Sequence, residues 1–109
     1  MERSLASGIE LFLRDSPGML RRIHDALEAC DTDGLCHAAH TLKGTAAMFR
    51  APSIVSLCRT IEQCGLEGLL SQAADLSRAI ELELERARGP LAFLKAQCET
   101  IVNEYHVGR

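Results

Sequence analysis

The chain is organised around one stretch in its first half, His37-Ala38-Ala39-His40-Thr41-Leu42-Lys43-Gly44-Thr45-Ala46-Ala47-Met48-Phe49-Arg50. On a helix that advances about 100° per residue, Leu42 and Phe49 fall on one side and His40 points the opposite way. Lys43 and Gly44 follow His40 by one helical turn, so a cation and the smallest residue are its neighbours. The pattern predicts a helix with a buried apolar side and a histidine exposed to water.

The residues before this stretch predict two further helices. Apolar side chains at helical spacing cover about residues 5–13 and again about residues 17–30. Between them lies Asp15-Ser16-Pro17-Gly18, where Asp15 or Ser16 can cap a new helix and Pro17 fits its first turn. Asp31-Thr32-Asp33-Gly34 then separates the second helix from the histidine helix, which we expect over about residues 32–49.

The residues after it predict a fourth and a fifth helix. Pro52 disfavours helical geometry at the residue before it and can itself begin a helix, which we expect to stop near Gly65. A fifth helix is predicted from about Leu66 to residue 88. Gly89-Pro90 indicates a break or a sharp kink, and the apolar pattern beyond it fits either a docked last helix or a bent extension.

These elements predict one all-α domain over residues 1–109. Short connections make consecutive helices antiparallel, so we expect an up-and-down antiparallel four-helix bundle over about residues 17–88. A short N-terminal helix would precede it and a C-terminal helical extension would follow it. The low aromatic content of 4%, with no Trp, fits a core of aliphatic side chains.

Composition limits the class of function and the compartment. A formal net charge of −3 gives no global basic field, which argues against nonspecific binding of nucleic acid. The five cysteines are odd in number and include no C-x-x-C pair, so free thiols in a reducing compartment are expected. The sequence contains no stretch typical of a signal peptide or a membrane span. We therefore expect a cytoplasmic monomer without membrane contact, or the cytosolic part of a larger membrane-bound protein.

Two segments resemble a known family. The segment A-H-T-L-K-G-T-A-A-M-F-R-A at residues 39–51, followed by L-C-R-T-I-E at residues 57–62, resembles the signature of histidine-containing phosphotransfer (HPt) domains, the phosphocarriers of multistep two-component phosphorelays. The resemblance implies that His40 is the phosphoacceptor and that Lys43 stabilises the charge of the phosphate. It also implies that Gly44 leaves room for a partner and that Glu62 orients the imidazole. Arg50 departs from the family, which usually has a helix-closing glycine at this position.

The resemblance also implies partners. His40 would take a phosphoryl group from a receiver-domain aspartate and give it to another receiver, such as those of a hybrid sensor kinase and a response regulator. The chain would bind no cofactor, and Mg²⁺ would be held by the receiver. No glycine-rich phosphate loop is present, so the chain is expected to be a phosphocarrier without ATP-dependent kinase activity. The residues expected to dock the receiver are Cys36, His37, Ala47, Met48, Arg50 and Arg59.

Two alternatives stay open at this point. A helical interaction module would have the same bundle without phosphate chemistry, and His40 would then be a solvated surface histidine. A small metal or redox sensor could use Cys36, His37 and His40, because the spacing C-H-x-x-H puts thiol and imidazole groups on one helix. Only three ligands are available locally, however, and His24 lies on another predicted helix.

Overall fold

The described part of the chain folds into four helices. The structure is a computed structural model that describes residues 2–49 and 51–107, with side chains described for residues 7–49 and 51–100. The helices are α1 (Glu2–Glu28), α2 (Thr32–Met48), α3 (Pro52–Glu67) and α4 (Leu70–Val107). Each helix packs on the next one along the chain, and α4 packs back on α1. The all-α bundle is therefore confirmed.

The core is built from aliphatic and small side chains. Leu35 and Leu42 of α2 have no solvent exposure, and Ala39 and Ala46 on the same side of the helix are also fully buried. The other helices complete this core with Leu20, Ile23, Ala26, Ile54, Cys58, Ile61, Cys64, Ala73 and Ile80. Because the buried side of α2 is continuous, its rotation is fixed and its polar side faces solvent.

The prediction of a separate N-terminal helix is wrong, because α1 runs without interruption through Pro17. Ile9, Phe12, Leu20 and Ile23 are all buried and form one stripe on both sides of the proline. Pro17 itself lies on the exposed side, where water can satisfy the backbone carbonyl group that loses its helical donor. Packing of the stripe therefore outweighs the local cost of a proline inside a helix.

Of the two alternatives beyond Gly89-Pro90, the helical extension is confirmed and the separate last helix is wrong, since α4 continues through both residues to Val107. Gly89, Pro90 and Arg86 are all exposed, so the disturbed hydrogen bond again faces solvent. The molecule measures 59 × 20 × 19 Å, and 38 residues of helix account for about 57 Å of that length. The start of α1 and the end of α4 therefore extend beyond the shorter α2 and α3. Over residues 2–49 and 51–107, no helix combines the length and the apolar character that a bilayer crossing requires.

The turns position the helices that carry the predicted site. Asp31 caps α2 by accepting a hydrogen bond from the Gly34 backbone N–H at 2.9 Å. Pro52 stands at the first position of α3, as predicted. Gly68 closes α3 in a left-handed conformation with φ 73°, so this helix ends at Glu67 and not near Gly65.

Candidate functional site

His40 lies on the solvent side of α2, as its helical position predicts. Its side chain is 69% exposed, although Ala39 immediately before it is completely buried. The fully buried Leu35 and Leu42 hold the opposite side of α2 in the core. The packing of the whole helix therefore holds the imidazole on the solvent side.

Glu62 of α3 bridges His40 and Lys43 of α2. Glu62 Oε2 is 3.1 Å from His40 Nδ1, and Glu62 Oε1 is 2.6 Å from Lys43 Nζ. The side chains of Glu62 and Lys43 are only 22% and 24% exposed, so the ion pair is partly shielded from water. The three residues expected to act together are thus in contact, and one carboxylate connects the imidazole with the cation.

The electrostatics of this cluster fix the position of a proton. Partial burial raises the pKa of Glu62, but hydrogen bonds and attraction from Lys43 and His40 outweigh it and hold that pKa below its usual value. Glu62 is therefore ionised at neutral pH and can only accept hydrogen bonds. His40 must donate from Nδ1, which in a neutral imidazole leaves the lone pair on Nε2. The cluster therefore leaves an unprotonated nitrogen on the exposed edge of the neutral imidazole.

Gly44 leaves open space beside His40. A Cβ atom built on Gly44 would meet no heavy atom within 4 Å, and the backbone has ordinary helical geometry. Neither packing nor backbone conformation therefore requires a glycine at this position. A glycine inside a helix nevertheless costs about 1 kcal/mol relative to alanine.

Most of the predicted docking residues share the exposed side of the molecule with His40. His37, Ala47 and Met48 are exposed on α2, and the Met48 side chain reaches 79% exposure. Arg59 is exposed on α3, one turn before Glu62. Arg50 lies outside the described residues, so its effect on the turn stays a prediction.

Cys36, one of the residues expected to dock the receiver, is only half-buried, and its docking role stays a prediction. Its thiol donates to the backbone carbonyl of Glu62 over 3.5 Å, and the side chain is only partly accessible. Burial, with the nearby carboxylates of Glu62 and Asp33, raises the pKa of this thiol. Cys36 therefore packs α2 against α3, one turn before the histidine.

The described residues give little support to a metal site. Within residues 2–49 and 51–107, no three His, Cys, Asp or Glu side chains come together in an arrangement that holds a metal ion. His37, one turn before His40, also lines a shallow groove between α1 and α2 with Met19 and Arg22. All five cysteines are free thiols.

Sequence reasoning missed two features of this site. It did not predict that Glu62 binds Lys43 as well as the imidazole, because a pairing across two helices depends on their separation. It also assigned Leu66 to the next helix, whereas Leu66 belongs to the last turn of α3 and is 76% exposed. The signal for Leu66 was Gly68, which is a better helix-closing glycine than Gly65 because it is followed by a new apolar pattern.

Comparison with known proteins agrees with this geometry. The family model described as "Hpt domain" matches residues 8–90, which is more than half of the chain. Searches of curated proteins and of solved structures returned no match. Hpt domains carry phosphoryl groups on histidine in two-component phosphorelays and interact with receiver domains. The match and the four-helix bundle together show that this chain belongs to the Hpt domain family.

Proposed function

We propose that His40 is the phosphoryl carrier of this chain, receiving the group from the aspartyl phosphate of one receiver domain and delivering it to the aspartate of another. The observation that carries this proposal is the exposed imidazole whose Nδ1 lies 3.1 Å from the Glu62 carboxylate. No other histidine among the described residues has a carboxylate hydrogen bond of this kind.

The chemistry follows from that hydrogen bond. The Nε2 lone pair attacks phosphorus, the Nε2–P bond forms, and the P–O bond to the donor aspartate breaks so that its carboxylate leaves. The Nδ1 proton stays hydrogen-bonded to Glu62, and the carboxylate offsets the positive charge that develops on the ring. The reverse sequence passes the group to the second receiver. The reaction needs no general base, since Nε2 of the neutral tautomer carries no proton.

Lys43 and Gly44 have supporting roles in this proposal. The phosphoryl group brings between one and two negative charges, and Lys43, one turn from His40, can turn its ammonium group from Glu62 toward the phosphate. Gly44 leaves space above the helix for the loops of the receiver. The receiver supplies Mg²⁺ and most of the electrostatic stabilisation, so the chain is a positioned nucleophile and not a kinase.

The setting proposed for this activity is the cytoplasm, with the domain acting as a monomer. The receivers would be those of a hybrid sensor kinase and of a response regulator. Contact with each receiver would be brief and of small area, because the same histidine must meet two partners in turn. Lys43 and Arg59 add positive charge toward an acidic receiver site.

The test is phosphoryl transfer from a panel of phosphorylated receiver domains. We expect acid-labile label on the wild type and on His37→Gln, and none on His40→Gln. His37 is the matched control because it is exposed on the same helix, one turn away. Label on His40→Gln, or no label on folded wild-type protein from any receiver, would reject the assignment.

A further inference from the structure

A large apolar side chain lies exposed beside the candidate site. Leu66 is 76% exposed in the last turn of α3, which continues to Glu67 before Gly68 closes it. The residue one turn earlier on the same side of α3 is Glu62, whose carboxylate contacts His40. Leu66 therefore follows the histidine partner by a helical rise of about 6 Å.

The packing of α3 on α2 gives the direction of this side chain. Gly65 is buried, and a Cβ atom built on it would lie 2.6 Å from Cys36 Sγ, so the two backbones approach closely at this level. Cys36 is one turn before His40 on α2. Leu66, next to Gly65 and on the Glu62 side of α3, therefore borders the exposed face of α2 before the histidine.

A second exposed apolar side chain lies on the other side of His40. Met48 is 79% exposed and follows His40 by eight residues of helix, a rise of about 12 Å. Met48 and Leu66 therefore flank the imidazole along the bundle axis, while Arg59 adds an exposed cation on α3. The cluster formed by Met48, His40, Arg59 and Leu66 combines two apolar anchors with a central reactive group.

We infer that Leu66 is a docking residue that determines which receiver domains this chain accepts. The inference rests on the proposed function. It concerns a contact between Leu66 and the receiver domain, away from the imidazole and the phosphoryl group. The occupant is a receiver domain, because the cluster is continuous with the reactive imidazole and the exposed cation of Arg59 complements an acidic phosphorylation site. Apolar anchors that become fully buried at an interface carry most of its binding energy. Leu66 acts through binding and does not touch the phosphoryl group.

The test compares Leu66→Ser with Leu82→Ser. Leu82 is the matched control, because it is an exposed leucine at 54% exposure on α4, which packs on α1 and α3. With a phosphorylated receiver as donor, we expect Leu66→Ser to raise the apparent KM for the receiver about tenfold while the maximal rate stays within twofold. We expect Leu82→Ser to match the wild type, and Leu66→Met to restore most of the affinity.

A donor that needs no docking surface separates binding from chemistry. Phosphoramidate, a small phosphoryl donor, should label wild type and Leu66→Ser at equal rates. Equal receiver kinetics for wild type and Leu66→Ser would overturn the inference and leave the proposed function standing. A matching loss of phosphoramidate labelling in Leu66→Ser would also overturn it, since the defect would then lie in the histidine. Failure of the wild type with every receiver would reject the proposed function and this inference with it.

Discussion

The outward face of α2 and the contact of α2 with α3 each include a glycine, but for different reasons. A Cβ atom on Gly65 would lie 2.6 Å from Cys36 Sγ and 3.4 Å from the Thr32 carbonyl oxygen, so close packing requires this glycine. A Cβ atom on Gly44 would meet nothing within 4 Å. The fold therefore explains Gly65 and leaves Gly44 unexplained, which is consistent with the proposal that Gly44 leaves room for a receiver domain.

The largest expected effect comes from Gly44→Leu. We expect it to slow phosphoryl transfer from a receiver about 100-fold, equivalent to about 2.7 kcal/mol, because the side chain fills the space above the helix next to His40. The fold should be as stable as the wild type or more stable, since glycine is a poor helix former. Transfer kinetics and thermal unfolding measure the two effects.

Gly89→Leu is the control for that change. Gly89 also has open space around an added Cβ atom, but it lies on α4. Transfer by Gly89→Leu should stay within about twofold of the wild type, since a surface change away from the contact alters little. Comparable losses in both variants would contradict the contrast between the two glycines.

In contrast to Gly44→Leu, Gly65→Ala is expected to destabilise the fold. Overpacking against Cys36 should lower the free energy of unfolding by about 1–3 kcal/mol, measured by urea denaturation. Adding Cys36→Ala should restore part of this loss, because it removes the sulfur atom that the new methyl group meets. A double-mutant cycle with no coupling between the two positions would show that the contact is not the cause.

The sequence predicted the fold where one pattern dominates. Leu35 and Leu42 lie on one side of a helix and His40 on the other, so helical periodicity alone predicted both the buried side of α2 and the exposed histidine. It failed at Pro17, where local signals indicate a stop, and left the course of the chain at Pro90 open. At Pro17 the buried stripe continues on both sides of the proline, so tertiary packing outweighs one lost hydrogen bond. At Pro90 partly buried side chains lead from Leu84 to the buried Cys98.

The residues of the candidate site and the contact between Glu62 and the imidazole were predicted, but the contact between Glu62 and Lys43 was not. His40, Lys43 and Glu62 were identified together through the family resemblance. Their arrangement, with one carboxylate held between the imidazole and the ammonium group, depends on the distance between α2 and α3 and cannot be derived from helical spacing. The exposed position of Leu66 was missed for a related reason, since it depends on α3 continuing to Glu67.

Cys30 extends the comparison, because it has a side chain at a position where the backbone conformation favours glycine. Cys30 has a left-handed backbone with φ 54°, as Gly68 does with φ 73°, but it carries a side chain. Cys30→Gly should therefore raise the free energy of unfolding by about 1 kcal/mol, measured by urea denaturation. Gly68→Ala should lower it by a similar amount. A stabilising effect of Gly68→Ala would contradict the backbone argument.

The smallest expected effect concerns Glu62, which joins the exposed face of α2 to the α2–α3 contact. Its desolvation is outweighed by hydrogen bonds from Lys43 and His40, and the pKa of Glu62 is lowered from its ordinary 4.5. Because the folded state binds this proton less tightly than the unfolded chain, the ionised carboxylate stabilises the fold above pH 4.5. That contribution is lost as the pH falls through the lowered pKa.

Glu62→Gln removes this ionisation, so the difference in unfolding free energy between wild type and variant should shrink between pH 7 and pH 3. The change should be about 1 kcal/mol or less, since the pair is partly solvated. Glu67→Gln, at an exposed glutamate of the same helix, should show a smaller change. If the two variants respond equally to pH, the Glu62 bridge contributes nothing to stability. Its importance would then lie only in holding the Nδ1 proton of His40, which phosphoryl-transfer rates of the same Glu62→Gln variant would report.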